Sequence, residues 1–151
     1  NESNKVYNYC VKKFNENKST FNTDYMVQKI EIFNELYKKS NKCAPYDMLT
    51  DTVRSFCSNV KSARTNLKNK HITHFKITEK SMKKGYSLFV SKKAIQNKGI
   101  FSNTLGNIKN FNINISSVTA DARLFFDNGT NAYWLHLPSY KSVTVLNERK
   151  K

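Results

Sequence analysis

Apolar positions along this chain repeat with two different periods, and the change falls near residue 70. In the first half Val6, Tyr7, Cys10, Val11 and Phe14 recur at i, i+1, i+4, i+5 and i+8, one side of a helix over about Asn4–Glu16. Asn17-Lys18-Ser19-Thr20 breaks that pattern. Thr23 or Asp24 can cap a second helix reaching about Lys39, with Met26, Ile30, Phe33 and Tyr37 on one face. Ser40–Pro45 reads as a loop, and Pro45 stands where a helix N-terminus accepts proline. The third helix, about Tyr46–Asn69, carries Leu49, Val53, Phe56, Val60, Ala63 and Leu67 as its apolar stripe. Arg54, Lys61, Arg64 and Lys68 fall in a second stripe, roughly 100° to one side.

After Lys70 the period shortens. Phe75–Thr78, Ser87–Ser91, Phe111–Ser116, Ala122–Phe126, Ala132–Leu137 and Val143–Leu146 read as short strands. Turn chemistry at Lys84-Gly85, Lys98-Gly99, Leu105-Gly106 and Asn128-Gly129 separates them. The stretch Asp121–Pro138 predicts a hairpin about Asn128-Gly129, since both residues tolerate the positive φ of a tight turn. Leu124 and Phe126 point to one face and Phe125 to the other, so this hairpin must be covered on both sides. Phe125, Phe126 and Leu135 are expected in the core, whereas Tyr133 and Trp134 suit either core or a stacking platform. The pattern predicts an α+β chain: a small helical bundle over residues 1–70, then a small antiparallel β-barrel over residues 71–146. Barrels of this size are used by oligonucleotide-binding folds.

Charge sharpens the picture. The chain of 151 residues has a formal net charge of +15 and a pI near 9.8, which points to a polyanionic partner. Residues 1–80 hold 15 Lys/Arg against 8 Asp/Glu, and residues 81–151 hold 11 against 3, so no single tail accounts for the excess. Of the basic residues 22 are Lys, and Asn occurs 20 times, so part of the lysine count reflects AT-rich coding composition. Helical cations beside an apolar contact line are spaced along a surface as phosphates are. As exposed charges they are expected to contribute little to stability. Tyr86, Phe89, Lys92 and Lys93 interleave aromatic and basic groups, which suits base stacking with backbone neutralisation. The candidate nucleic-acid-binding set is Arg54, Lys61, Arg64, Lys68, Lys83, Lys84, Tyr86, Lys92, Lys93, Lys98 and Arg123. Arg54, Lys61, Arg64, Lys68, Lys92 and Lys93 are expected on one continuous surface.

Catalytic chemistry is sparse. His71-x-x-His74 has no cysteine pair nearby to complete a zinc site, and no nucleophile–base pair or phosphate loop stands out. Cys10 and Cys57 fall on apolar helical faces and Cys43 in a loop, an odd count that fits a reducing, intracellular compartment. No apolar run is long enough to span a membrane. The chain opens on Asn1 and closes on Arg149-Lys150-Lys151, and reads as a piece of a longer protein.

The order of soft motifs is itself informative. KVYNYCVKKFN, a helix ending in ARTNLKN, then HFKIT, GYSLFVSKKAI, GIFSNTLGNIK and DARLFFDNGTNAYWLHLP together resemble the N-terminal part of the transposon-encoded TnpB nucleases. They are similar above all to the Fanzor relatives in eukaryotes and large DNA viruses, and the resemblance covers roughly Lys5–Lys141. It implies a helical recognition (REC) insert within a barrel-like wedge (WED) domain, with residues 147–151 leading into a RuvC nuclease domain. It also implies a guide RNA and a target DNA as partners, in the nucleus or cytoplasm of a host cell. No cofactor is implied within residues 1–151; Mg²⁺ and Zn²⁺ belong to the RuvC domain and zinc ribbon that would follow Lys151. The first wedge strand would likewise precede Asn1. Guided recognition delegates sequence reading to base pairing, so lysine point charges on a backbone are what such a segment needs. Two other classes fit the same charge: a stand-alone RNA- or single-strand-binding module, and a basic structural packaging protein.

Overall fold

The computed structural model describes residues 2–37, 45–81, 85–109 and 113–138. Three helices open the chain: α1 (Glu2–Glu16), α2 (Tyr25–Ile32, continued by a π-turn over Phe33–Tyr37) and α3 (Tyr46–Lys68). Five short strands follow among the described residues: β1 (Tyr86–Val90), β2 (Ile95–Gln96), β3 (Gly99–Ile100), β4 (Ala122–Asp127) and β5 (Ala132–His136). The architecture is α+β.

The stripes on α1 and α3 bury as their spacing predicts. Val6, Cys10, Val11 and Phe14 meet Leu49, Val53, Phe56 and Val60 in one core, to which Phe21 and Ile32 add. Phe56 lies at its centre, with Tyr7, Phe14 and Phe21 edge-on at centroid distances of 5.5, 6.3 and 5.8 Å. Burial pushes the Cys10 thiol up to about 12 and the Cys57 thiol to about 11, so both remain neutral and behave as small apolar groups. Cys43 lies outside the described residues.

α2 departs from its expected face. Met26 and Ile30 are 54% and 57% exposed, while Gln28 and Ile32 are buried. Three polar ties set this rotation: the Gln28 amide donates to the Asn22 carbonyl, Tyr9 donates to Glu35, and Lys13 pairs with Glu31. Apolar residues occur on both sides of α2, so local polar partners chose the side. The Asp24 cap forms as expected, its carboxylate accepting from the Met26 N–H at 2.8 Å.

Phe75–Thr78 is extended but is not a strand. Phe75 and Ile77 both insert toward the helical core, so the period of two is real and its partner is helical. Further on, the Asn8 side chain takes the place of a ladder, accepting from the Lys80 N–H at 2.8 Å and donating to the Lys80 carbonyl at 3.1 Å.

No closed barrel forms among the described residues. The sheet is an open antiparallel trio in the order β1-β4-β5, with β2 and β3 as a separate ribbon. Of the expected Phe111–Ser116 strand, the described end coils into a 3₁₀ turn over Ile115–Ser117, because the Asn114 carboxamide caps the Ser116 N–H. Val143–Leu146 and the lead-in after it lie outside the described residues.

A second core of Val90, Ile95, Ile100, Val118 and Ala122 covers the end of the sheet far from the hairpin turn. Toward the turn the sheet is open to solvent. Phe125 and Phe126 are therefore half-buried rather than core, Leu135 is half-buried and packs against the second core, and Tyr133 and Trp134 are 61% and 56% exposed.

The hairpin itself is longer than a two-residue Asn-Gly turn. Residues 128–131 connect Asp127 to Ala132, and the positive φ (51°) falls on Asn131, not on Gly129. The Asp127 carboxylate holds the loop, accepting from the Thr130 hydroxyl at 2.8 Å and the Gly129 N–H at 3.0 Å. Those two bonds keep its pKa below the usual carboxylate value. Glycine is required at a different position: a Cβ on Gly85 would lie 2.7 Å from the Phe126 carbonyl oxygen. Replacing Gly85 with Ala should cost about 1–3 kcal/mol by forcing β1 away from β4. Gly129→Ala meets only the Asp127 side chain, at 3.4 Å, and should be nearly neutral. Urea melts of the two variants check this; equal losses would show that the hairpin does need glycine in its turn.

Candidate nucleic-acid interface

The expected cations divide between the two ends of α3. Near its N-terminal half, Arg54 lies over the Tyr25 ring with its guanidinium carbon 4.7 Å from the centroid. Across a cleft of about 350 Å³ stand Lys92 and Lys93, with Phe89 on the wall between the helix and β1. The helical region and the sheet thus contribute cations to one concavity. The lysines sit on a 3₁₀ turn over Lys92–Ala94, whose first N–H donates to Asp121 at 2.8 Å. That bond anchors the start of the turn to Asp121.

The cleft is not purely basic, since Asp47, Asp51 and Asp121 also line it. Arg123 reaches from β4 to within 3.6 Å of Asp51, tying the sheet to α3. Four cations therefore face three carboxylates at the junction. The local field is weak, and long-range attraction comes from the net charge of +15.

Arg64 has a different role from the one its stripe predicts. Its guanidinium donates to the Phe21 carbonyl at 2.8 Å and the Lys18 carbonyl at 2.7 Å, clamping the α1–α2 connection onto α3. It is half-buried and shares no cleft with Lys92 and Lys93. Arg54, Lys92 and Lys93 thus line one concavity and Arg64 another, while Lys61 and Lys68 line neither of the two. Lys61 and Lys68 are exposed on α3, and Lys98 is exposed in the turn between β2 and β3. The Tyr86 hydroxyl lies 3.3 Å from that of Tyr133, and its ring packs on Phe126 at 5.3 Å. The Tyr133 bond first, then partial burial, pushes the Tyr86 pKa up to about 12. Lys83 and Lys84 lie outside the described residues.

Three basic groups that the sequence reading passed over gather around Arg64. Lys18, His74 and Lys76 share its groove with Phe75. The signal is present in His74-Phe75-Lys76, which alternates basic and aromatic residues as Tyr86–Lys93 does. Among the described residues no group of three or more His, Cys, Asp or Glu is placed to hold a metal ion. No described helix is long and apolar enough to cross a membrane. No protein-family model matches the chain, and comparison with curated proteins finds no match either.

The Arg64 clamp is testable without any ligand. Arg64→Ala should destabilise the fold by about 1–2 kcal/mol, because two carbonyls lose a charged donor. Lys61→Ala, an exposed neighbour on the same helix, should stay within about 0.5 kcal/mol of the parent. Chemical denaturation of both variants settles the comparison, and equal stabilities would leave the clamp without energetic weight.

Proposed function

We propose that this chain binds nucleic acid through the sugar–phosphate backbone, at the cleft between α3 and the β1 edge of the sheet. The observation that carries the proposal is the convergence of Arg54 with Lys92, Lys93 and Phe89 on one concavity of a strongly basic chain. Phe89 offers an aromatic wall beside the cations, the pairing that single-strand grooves use. Lysines dominate, and the described arginines are drawn to other groups: Arg54 to a ring, Arg64 to carbonyls, Arg123 to Asp51. Bidentate guanine reading is thereby disfavoured, and sequence-independent backbone contact is favoured.

The motif order Lys5–Lys141 extends the proposal. In that reading the chain is the REC-plus-WED part of a TnpB/Fanzor-type RNA-guided DNA endonuclease, with the open sheet belonging to the wedge. Guide RNA and target DNA would be its ligands, inside the host cell, and a RuvC domain of the same protein would supply the Mg²⁺-dependent cleavage. Guide-directed pairing needs shape and charge from such a segment rather than base-edge contacts, which agrees with the lysine bias.

The experiment is a salt titration of binding to structured RNA, single-stranded DNA and heparin. For the parent, log affinity should fall steeply with log salt. Lys92→Ala/Lys93→Ala removes side chains only, keeps the N–H that Asp121 accepts, and should lower the slope by about two units with Tm unchanged. An unchanged slope sinks the cleft assignment. Heparin bound as tightly as RNA would favour a packaging protein over a guide-binding segment.

A further inference from the structure

The groove at the other end of α3 has a composition of its own. It lies between the C-terminal turns of α1 and α3 and the extended segment 73–77, and has a volume of about 430 Å³. Lys18, Arg64, His74 and Lys76 line it together with Phe14, Leu67, Phe75 and Ile77, and no carboxylate is among its lining residues. The Lys92–Lys93 cleft, by contrast, holds three carboxylates and shares no residue with this groove.

Two features make the groove more than a patch of solvated lysines. Arg64 is fixed by neutral carbonyls, which orient the guanidinium without cancelling its charge and leave N–H donors over for a ligand. Phe75 is fixed as well, stacked on Phe14 at 6.2 Å with the ring planes 29° apart. A positioned cation thus lies beside a positioned aromatic ring. An inorganic anion would leave the apolar surface unused, and an uncharged ring would leave the cations unused.

We propose that this groove binds a 5′-phosphorylated nucleoside, with the base against Phe75 and Leu67 and the phosphate among Lys18, Arg64 and Lys76. Its volume lies within the range of small-molecule sites. Stacking on a fixed ring and charge-assisted hydrogen bonds to phosphate then act on the same ligand. The ligand is either a free nucleotide or one unstacked residue of a longer strand, because the chemistry recognised is common to both.

Calorimetric titration of the full chain with AMP, adenosine, inorganic phosphate and a short oligoadenylate tests the site. AMP should bind at least about tenfold more tightly than adenosine or phosphate, since only it satisfies both halves of the groove. Lys18→Ala/Lys76→Ala should weaken AMP about tenfold with Tm unchanged, because both lysines are exposed and the Lys18 carbonyl that Arg64 uses is retained. In the Lys92→Ala/Lys93→Ala background, where the other cleft is weakened, an oligoadenylate that binds more tightly than AMP and loses that margin in Lys18→Ala/Lys76→Ala supports the site and identifies a strand as its source; equal affinity supports it and identifies the free nucleotide. AMP no tighter than phosphate, or undiminished in the double variant, overturns the proposal. Lys92→Ala/Lys93→Ala should leave AMP binding unchanged, so failure at one site is distinguishable from failure at the other.

Discussion

Phe56 lies midway along α3 with three aromatic rings edge-on to it, one from residue 7, one from residue 14 and one from residue 21. Edge-to-face pairs of this kind add about 0.5–1.5 kcal/mol each beyond the area they bury. They also fix distances, because a ring held edge-on by neighbours on different elements leaves little room to slide. α1 and the loop leading into α2 are both referred to this one side chain. Phe14 passes the order on to Phe75, and Phe75 belongs to the segment that leads into the sheet. β1 meets the same core directly, through Leu88.

That dependence explains which parts of the fold could be read from the sequence. The stripes on α1 and α3 are single-sided, so amphipathicity alone assigns their buried face. α2 has apolar residues all round, and periodicity offers no preference between the Met26–Ile30 side and the Gln28–Ile32 side. Hydrogen bonds from Gln28 and Tyr9, with the Lys13–Glu31 ion pair, break the tie, and such polar partners, near or far in sequence, leave no periodic trace. Phe75–Ile77 shows the opposite difficulty. Alternation reports an extended backbone correctly but does not say whether a strand or a helix receives the side chains. In the hairpin, Asp127 makes the turn with its carboxylate, a solution open to any Asx residue and independent of the Gly129 that drew attention to it.

The candidate interface divides along a similar line. Charge is legible because it is a sum, and a sum does not depend on which residues are neighbours. The location of charge is not legible. Arg54 and Arg64 share a stripe on the helical wheel, yet one faces the sheet region and the other faces the α1–α2 connection. The stripe is continuous on α3, but Arg54 and Arg64 line different concavities. Lys92 and Lys93 were recognisable as a basic pair after an aromatic strand. Their approach to Arg54 depends on how β1 packs against α3, which no local pattern encodes.

The division has a consequence for how a polyanion would meet this surface. Arg54 and Arg64 are ten residues apart on one helix, or roughly 15 Å along its axis at about 1.5 Å per residue. A ligand touching both must span several phosphates, given about 3.4 Å per phosphate along one strand of a duplex. A mononucleotide can therefore occupy only one end, whereas a strand can engage both and gain from their linkage. The two ends also differ in kind. At the α3–sheet junction carboxylates nearly balance the cations, so contact there is weak for any single phosphate and responsive to geometry. At the Arg64 end the cations stand without carboxylates beside a fixed ring, the setting in which the proposed nucleotide would be held. If both proposals hold, one helix would carry a broad backbone contact at one end and a single-nucleotide contact at the other.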